Sequence, residues 1–121
     1  MEANELRIGN YVYPFDDIYL VSNKTIIEDC IQVCFKDFEN TNELHPISLT
    51  EDWLLKLGFR NVSNNWYNIF ANENTFNVYL FENESGFRVE IVNQSIAVLN
   101  YVHELQNLYF ALTKQELTIN N

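Results

Sequence analysis

The chain has 121 residues, of which 47% are apolar and 15% aromatic. This is enough apolar material for one packed core, so the composition excludes a disordered chain and fits a single domain. Acidic residues outnumber basic ones by 17 to 7, which gives a net charge of -10. A surface of that sign repels phosphate groups, so we expect neither direct nucleic-acid binding nor binding to an anionic membrane. A basic protein surface is the favoured partner, unless the charge serves only solubility.

The N-terminal part of the chain is predicted to be rich in strands. Leu6 and Ile8 lie two residues apart, and so do Tyr11 and Tyr13, which is the spacing of side chains on one face of a strand. Gly9 stands between the two pairs and indicates a bulge or a tight bend.

The following segments continue this pattern. Residues 18–22 form a β-rich run after a turn, and residues 31–36 alternate between apolar and polar, as in a half-buried strand. The polar residues 38–44 are predicted to form a loop. Short strands with tight turns favour either a small curled sheet or an SH3-like barrel over residues 1–49.

A short central helix is predicted over residues 51–57. Thr50 is a suitable N-cap because its hydroxyl can accept a hydrogen bond from a free backbone N–H at the helix start. Gly58 favours the left-handed conformation that ends a helix. The buried face is expected to consist of Trp53, Leu54 and Leu57.

Residues 65–100 are predicted to form an antiparallel meander. Apolar and polar residues alternate along its strands, which is typical of a sheet with one buried face and one wet face. The expected core positions are Phe76, Val78 and Leu80 in one strand and Phe87, Val89 and Ile91 in the next.

A C-terminal helix is predicted over residues 101–112, with Asn100 as its cap, and it should cover the meander. Its apolar stripe at helical spacing consists of Tyr101, Leu105, Leu108 and Leu112, widened by Tyr109.

Two details of this helix can be predicted from adjacent residues. Tyr109 and Phe110 cannot both face the core, and we expect Phe110 to be the more exposed. Thr113 and Glu116 have the spacing of a capping box, which predicts a further short turn.

The predicted fold class is α+β, with mainly antiparallel strands and two helices in one domain. Its parts are a strand-rich segment over residues 1–49, a helix over 50–58, the meander over 65–100 and a helix over 101–117.

The expected location is the cytoplasm. The first six residues carry two acids and no apolar run, so they do not resemble a signal peptide, and no segment reaches the length of a membrane-spanning helix. Only Cys30 and Cys34 are present, which is too few for a disulfide scaffold of this size and favours a reducing compartment.

Catalytic and metal-binding motifs are missing from the sequence. Cys30, Cys34, His45 and His103 could supply four zinc ligands, but their spacing does not match a zinc knuckle. With three glycines in all, a phosphate-binding loop is nearly excluded, and adjacent acids are more often solvated than catalytic. We therefore predict no catalytic residue, no metal and no cofactor; a small enzyme is the weakest of three alternatives.

Three segments resemble a family of small, largely uncharacterised proteins of Bacteroidetes phages and prophages. They are ELRIGNYV at residues 5–12, HPISLTEDWLLKLGF at 45–59 and YVHELQNLYFALTKQEL at 101–117. The resemblance covers both ends and the central helix, and it brings no catalytic residues to transfer.

The resemblance implies that the cytoplasm is that of a bacterial host cell, and it implies one of two roles. Bacteroidetes carry type VI-B CRISPR systems, whose effector is an RNA-guided RNA nuclease with basic RNA channels, and prophages of this group are a source of its inhibitors. The chain is therefore similar to a type VI-B anti-CRISPR protein; the alternative is a phage accessory or assembly protein. As partner-binding candidates we select the acids in predicted turns and loops, because these are free to project: Asp16, Asp17, Asp37, Glu39, Glu43, Glu82 and Glu84.

Overall fold

The computed structural model describes residues 3–14, 30–39, 41, 44–71, 74–80, 86–91 and 94–119. They form an α+β fold with mainly antiparallel strands, as predicted. Two 3-10 helices cover Ala3–Glu5 and Phe35–Glu39. The other elements are β1 (Tyr11–Val12), β2 (Ile31–Gln32), α1 (Glu51–Lys56), β3 (Arg60–Ser63), β4 (Trp66–Ala71), β5 (Asn74–Leu80), β6 (Phe87–Ile91), β7 (Gln94–Leu99) and α2 (Val102–Thr113).

The main sheet is a five-stranded antiparallel meander in the order β3-β4-β5-β6-β7. The predicted meander is confirmed, and β3 extends it by one strand that the sequence did not indicate. All four residues of β3 are exposed, so the strand has no apolar alternation to detect. Asn65 lies at φ 60° in the two-residue turn before β4, a conformation that asparagine tolerates better than most residues.

One face of this sheet supplies most of the core. Val78 in β5 and Val89 in β6 lie directly opposite each other and are fully buried. The buried apolar residues of both helices belong to the same cluster, including Leu54 of α1 and Leu105 of α2. The molecule therefore has a sheet layer and a helix layer, with the core between them.

Helix α1 begins where the sequence predicts and ends one residue earlier, at Lys56. The Thr50 hydroxyl accepts a hydrogen bond from the Trp53 N–H at 3.2 Å, and Gly58 has φ 96° just beyond the last turn. The predicted buried residues Trp53, Leu54 and Leu57 are all buried.

The described residues of the N-terminal part contain less strand than predicted. Strands β1 and β2 pair over two residues each, so this part contributes a small two-stranded sheet. The strand expected at Leu6 and Ile8 is wrong: Leu6 is buried and Ile8 is exposed. The reason is a turn, in which the Asn10 side chain accepts a hydrogen bond from the Arg7 N–H at 2.7 Å.

The strand predicted over residues 31–36 is also too long. It stops after Gln32 because the chain turns into the second 3-10 helix, where the Asp37 carboxylate accepts from the Cys34 N–H at 2.8 Å. This helix also occupies the start of the predicted loop at residues 38–44. The turn at residues 16 and 17 and the β-rich run at 18–22 lie outside the described residues.

Helix α2 starts one residue later than expected, with Tyr101 at the N-cap position. The prediction of Asn100 as the cap is wrong, because the extended residue before the first helical turn is Tyr101, and the Glu104 side chain reaches back to the start of the helix. Its Oε1 atom accepts from the backbone N–H groups of both Asn100 and Tyr101 at 3.0 Å.

The buried stripe of α2 also differs from the apolar one. Leu105 and Tyr109 are buried as expected, but Tyr101 and Leu112 are exposed. The side chains of Gln106 and Thr113 are buried because they form hydrogen bonds with backbone groups, which the spacing of apolar residues does not reveal. The buried positions of α2 are Val102, His103, Leu105, Gln106, Tyr109 and Thr113.

The further turn predicted from Thr113 and Glu116 is wrong. The Thr113 hydroxyl donates to the Tyr109 carbonyl at 2.7 Å, and Lys114 ends the helix with φ 64°. Glu116 instead forms an ion pair with Arg7. The chain then runs on without helix, and Leu117 enters the core.

A polar network joins this C-terminal segment to the N-terminal turn. Gln106, fully buried on α2, accepts from the Tyr11 N–H at 2.8 Å and donates to the Leu117 carbonyl at 2.9 Å and the Gly9 carbonyl at 3.2 Å. The Tyr11 hydroxyl accepts from the Ile119 N–H at 2.9 Å. Residues about a hundred positions apart in sequence are thus held together by hydrogen bonds.

Within the part of the chain that the structure describes, no helix has the length and apolar character needed to span a membrane.

Candidate protein-binding surface

The second face of the five-stranded sheet is open to solvent and carries large side chains. The pleat places Trp66 and Phe70 of β4, Tyr79 of β5 and Arg88 of β6 on the side opposite the core. We call these four residues the aromatic face. No helix of the described residues packs over it, since both helices contribute to the core on the other side.

The centre of the aromatic face is an ordered pair of rings. Trp66 and Tyr79 lie directly opposite each other in the ladder, with ring centroids 5.7 Å apart and planes inclined by 17°. The Trp66 indole N–H donates to the Asn77 side chain at 2.9 Å. The pair is therefore held in one orientation before any partner arrives, which lowers the entropy lost on binding.

Arg88 extends this pair across the strands, and Phe70 extends it along β4. Arg88 lies opposite Tyr79 on the next strand, and Phe70, 71% exposed, projects from the other end of β4. An aromatic ring exposed to that degree contributes little to the fold, so its burial by a partner would be a net gain.

Charge is distributed unevenly between this face and the rest of the chain. Among the described outward-facing residues of the sheet, the ionisable side chains other than Tyr79 are Arg60, Arg88 and Glu90. Burial, and secondarily Glu90, raises the pKa of Tyr79, so its hydroxyl stays neutral and able to donate. The face is close to neutral although the whole chain carries -10.

Of the seven acids selected from the sequence, the two that the structure describes are not part of this surface. Asp37 and Glu39 lie on the second 3-10 helix and not on the five-stranded sheet, and the Asp37 carboxylate is already an acceptor for the Cys34 backbone. The remaining five lie outside the described residues: Asp16, Asp17, Glu43, Glu82 and Glu84.

The aromatic face was not predicted, because the second side of each strand was expected only to face solvent. Trp66 and Phe70 are four residues apart in one strand and thus share a face. Tyr79 occupies a position that alternates with the core residues Val78 and Leu80. Aromatic residues at three solvent-side positions of adjacent strands were the available signal.

The other aromatic prediction is confirmed. Tyr109 is buried, whereas Phe110 is partly exposed and covered by the Arg7 guanidinium, 4.0 Å from the ring centroid. This contact helps to join the N-terminal turn to α2, so we assign Phe110 a structural role.

The candidate zinc ligands are dispersed in the structure. His103 is buried on α2, while Cys34 is exposed at the start of the second 3-10 helix, with its Sγ atom 3.2 Å from the Asp37 carboxylate. Over the described ranges, no group of three or more His, Cys, Asp and Glu side chains could hold a metal ion.

His103 is enclosed by its surroundings in a way that disfavours its charged form. Burial lowers its pKa, and Glu104 and Glu5 only partly oppose that effect. The Nε2 atom is 3.8 Å from a Glu5 oxygen, the ring stacks on Tyr101, and no described residue forms a hydrogen bond with the buried Nδ1 atom.

The stability of the protein should therefore depend on pH through His103. In the unfolded chain His103 binds a proton near its ordinary pKa of about 6.5, whereas in the folded chain its pKa is lower. The contribution of neutral His103 to the free energy of unfolding is therefore fully present above that pH and is lost on acidification. We expect the free energy of unfolding to fall less between about pH 7.5 and 5.5 in His103→Gln than in the wild type. Denaturant titrations at each pH measure this, with His45→Gln as the control. An equal pH slope in wild type and His103→Gln would contradict the prediction.

Comparisons of the chain with protein-family models, with curated proteins and with solved structures give no match. The binding role is therefore inferred from the chemistry of the surface itself.

Proposed function

We propose that the protein acts by binding another protein through the aromatic face, and that the partner is an RNA-guided RNA nuclease of the type VI-B CRISPR kind, which it inhibits. The observation that supports binding is the group of Trp66, Phe70, Tyr79 and Arg88 on an open sheet face. The nuclease is suggested by the resemblance to Bacteroidetes prophage proteins.

The residue types on the aromatic face are those that dominate the energetics of protein interfaces. Tryptophan, tyrosine and arginine are enriched among the few residues that carry most of the binding energy, typically at about 2 kcal/mol or more each. Here they lie on adjacent strands, and the rigid backbone of a sheet positions them. The Tyr79 ring beside the Arg88 guanidinium can also contact a protein surface that contains both apolar and polar groups.

The negative charge of the chain supports a basic partner. Exposed acids on other elements include Glu39, Glu51 and Asp52. Such charges accelerate encounter with a positive surface and orient the two molecules, while the near-neutral aromatic face supplies the contact area. A nuclease that holds RNA in basic channels presents a surface of this kind, and an acidic protein competes with RNA for it.

The test uses purified protein and a reconstituted type VI-B effector with its guide RNA and a labelled target RNA. We expect target cleavage to stop at saturating protein and a stable complex to appear in size-exclusion chromatography. Phe70→Ala should weaken binding by about 30-fold, which corresponds to about 2 kcal/mol. Phe70 is exposed in the free protein, so this change should leave the fold intact.

Leu55→Ala is the matched control, because Leu55 is an exposed apolar residue on α1, away from the sheet. Its affinity should stay within about twofold of the wild type. Unaltered cleavage at saturating protein would reject the nuclease as the partner and leave the phage accessory role, for which mass spectrometry of purified virions is the direct measurement. Equal loss of binding in both variants would reject the aromatic face as the contact.

A further inference from the structure

The two edges of the five-stranded sheet differ in how well they are protected from pairing. Edge strand β3 has four residues, carries Arg60 and contains an irregularity between Asn61 and Ser63. Shortness, charge and bulges are the features by which proteins prevent edge strands from pairing with other chains.

Edge strand β7 lacks most of these features. It has six residues, none of them charged and none a proline, and its sequence is QSIAVL. Just beyond the end of β7, residues 47 and 49 form backbone hydrogen bonds with residues 102 and 100. No described strand pairs with the outer edge of β7 itself. Its one protective feature is a bulge that leaves Ile96 as the extra residue.

The exposed side chains of β7 are apolar. Ile96 is 44% exposed and Val98 is 47% exposed, whereas Ala97 points to the core side, opposite Val89. Two copies of the chain each carry a net charge of -10, so they repel each other over most of their surfaces. A strand without ionisable residues is the place where two copies can meet without opposing like charges.

We propose that two copies of this chain associate through their β7 edges, in antiparallel pairing about a two-fold axis at Ala97. Backbone hydrogen bonds then join the two meanders into one ten-stranded sheet, since five strands come from each copy. Ile96 of each copy lies opposite Val98 of the other, so the pairing is self-complementary in side chains as well as in charge.

The geometry also determines where the aromatic faces lie in the dimer. A two-fold axis that relates antiparallel strands of one sheet runs perpendicular to that sheet, so both outer faces point to the same side. The dimer therefore presents two copies of the aromatic face side by side. The association itself does not depend on the proposed partner and can be tested on the protein alone.

The test is the mass of the protein in solution, measured by sedimentation velocity from micromolar to several hundred micromolar. We expect the wild type to approach twice the 14.3 kDa of the single chain. The double variant Ile96→Lys/Val98→Lys should remain at the mass of one chain, because four ammonium groups would then face one another across the pairing. Val62→Lys, on the protected β3 edge, is the matched control and should still dimerise.

A second measurement does not depend on charge. In a Cys30→Ser/Cys34→Ser background, Ala97→Cys should form a disulfide-linked dimer on mild oxidation, because directly opposite residues of antiparallel strands lie about 4.5–5.5 Å apart at Cα. Val62→Cys in the same background should not. Circular dichroism establishes that each variant is folded.

Three results would overturn the proposal: a wild type of single-chain mass throughout the range, a dimer that survives in folded Ile96→Lys/Val98→Lys, or a dimer lost in folded Val62→Lys. Failure of the dimer leaves the proposed inhibition untouched, since that is measured with the nuclease.

Discussion

Replacing Gln106 with alanine is expected to lower the free energy of unfolding by about 3–5 kcal/mol. The change removes the acceptor of the Tyr11 N–H and the donor to the Leu117 carbonyl, both in the interior, and leaves a void on α2. A buried backbone group without a partner costs about 1–3 kcal/mol, so two such groups account for most of the loss. Equilibrium denaturation in urea measures it.

Two further variants separate the causes. Gln106→Met keeps most of the side-chain volume but removes the hydrogen bonds. If these bonds are responsible, its free energy of unfolding should fall nearly as much as that of Gln106→Ala. Gln115→Ala removes an exposed glutamine just beyond the same helix and should change stability by less than about 0.5 kcal/mol. A folded Gln106→Met with wild-type stability would show that the network contributes nothing net.

Leu105→Ala should lower the free energy of unfolding by about 3 kcal/mol, and Leu112→Ala should lower it by less than about 1 kcal/mol. Both leucines lie on α2 and on the stripe expected from the sequence, but Leu105 is fully buried and Leu112 is 45% exposed. The same chemical change at two positions of one helix therefore isolates burial from helix propensity.

Denaturant midpoints of the two variants, measured side by side, test this difference. Similar losses would mean that Leu112 is covered in solution, by the rest of the chain or by a second copy. A smaller loss at Leu105 than at Leu112 would contradict the arrangement of the helix layer.

The elements with local signals could be predicted from the sequence. Thr50 and Gly58 mark the two ends of α1 because a cap and a stop each depend on a few neighbouring residues. The strands of the meander were predicted because Val78, Val89 and their neighbours alternate in and out of one core.

The failures have a common physical cause, which is a polar side chain that forms hydrogen bonds with backbone groups. Gln106 and Thr113 bury on α2 because they find carbonyl and amide partners, so the stripe rotates away from Leu112. Asn10 accepts from the Arg7 N–H and so closes a turn across the strand expected at Leu6 and Ile8, next to the bend that Gly9 indicated. Apolar periodicity contains no information about such hydrogen-bond partners.

The candidate surface was predictable only in part. The net charge indicated a basic partner, but loop acids such as Asp37 were selected without knowledge of their hydrogen bonds. The aromatic face depends on strand register, which brings Trp66, Tyr79 and Arg88 into one row. A single strand gives no register, so the row was not visible in the sequence.

The hydrogen bonds between the two ends of the chain have a consequence for synthesis on the ribosome. The turn at Gly9 and the start of β1 are fixed by Gln106, and the hydroxyl of Tyr11 by the backbone of Ile119. Residues 9–11 leave the exit tunnel about a hundred residues before Gln106 and Ile119, so they reach their final positions only after those two residues have emerged. During that interval Tyr11 and its neighbours are exposed, and a chain stalled before residue 106 cannot complete its fold.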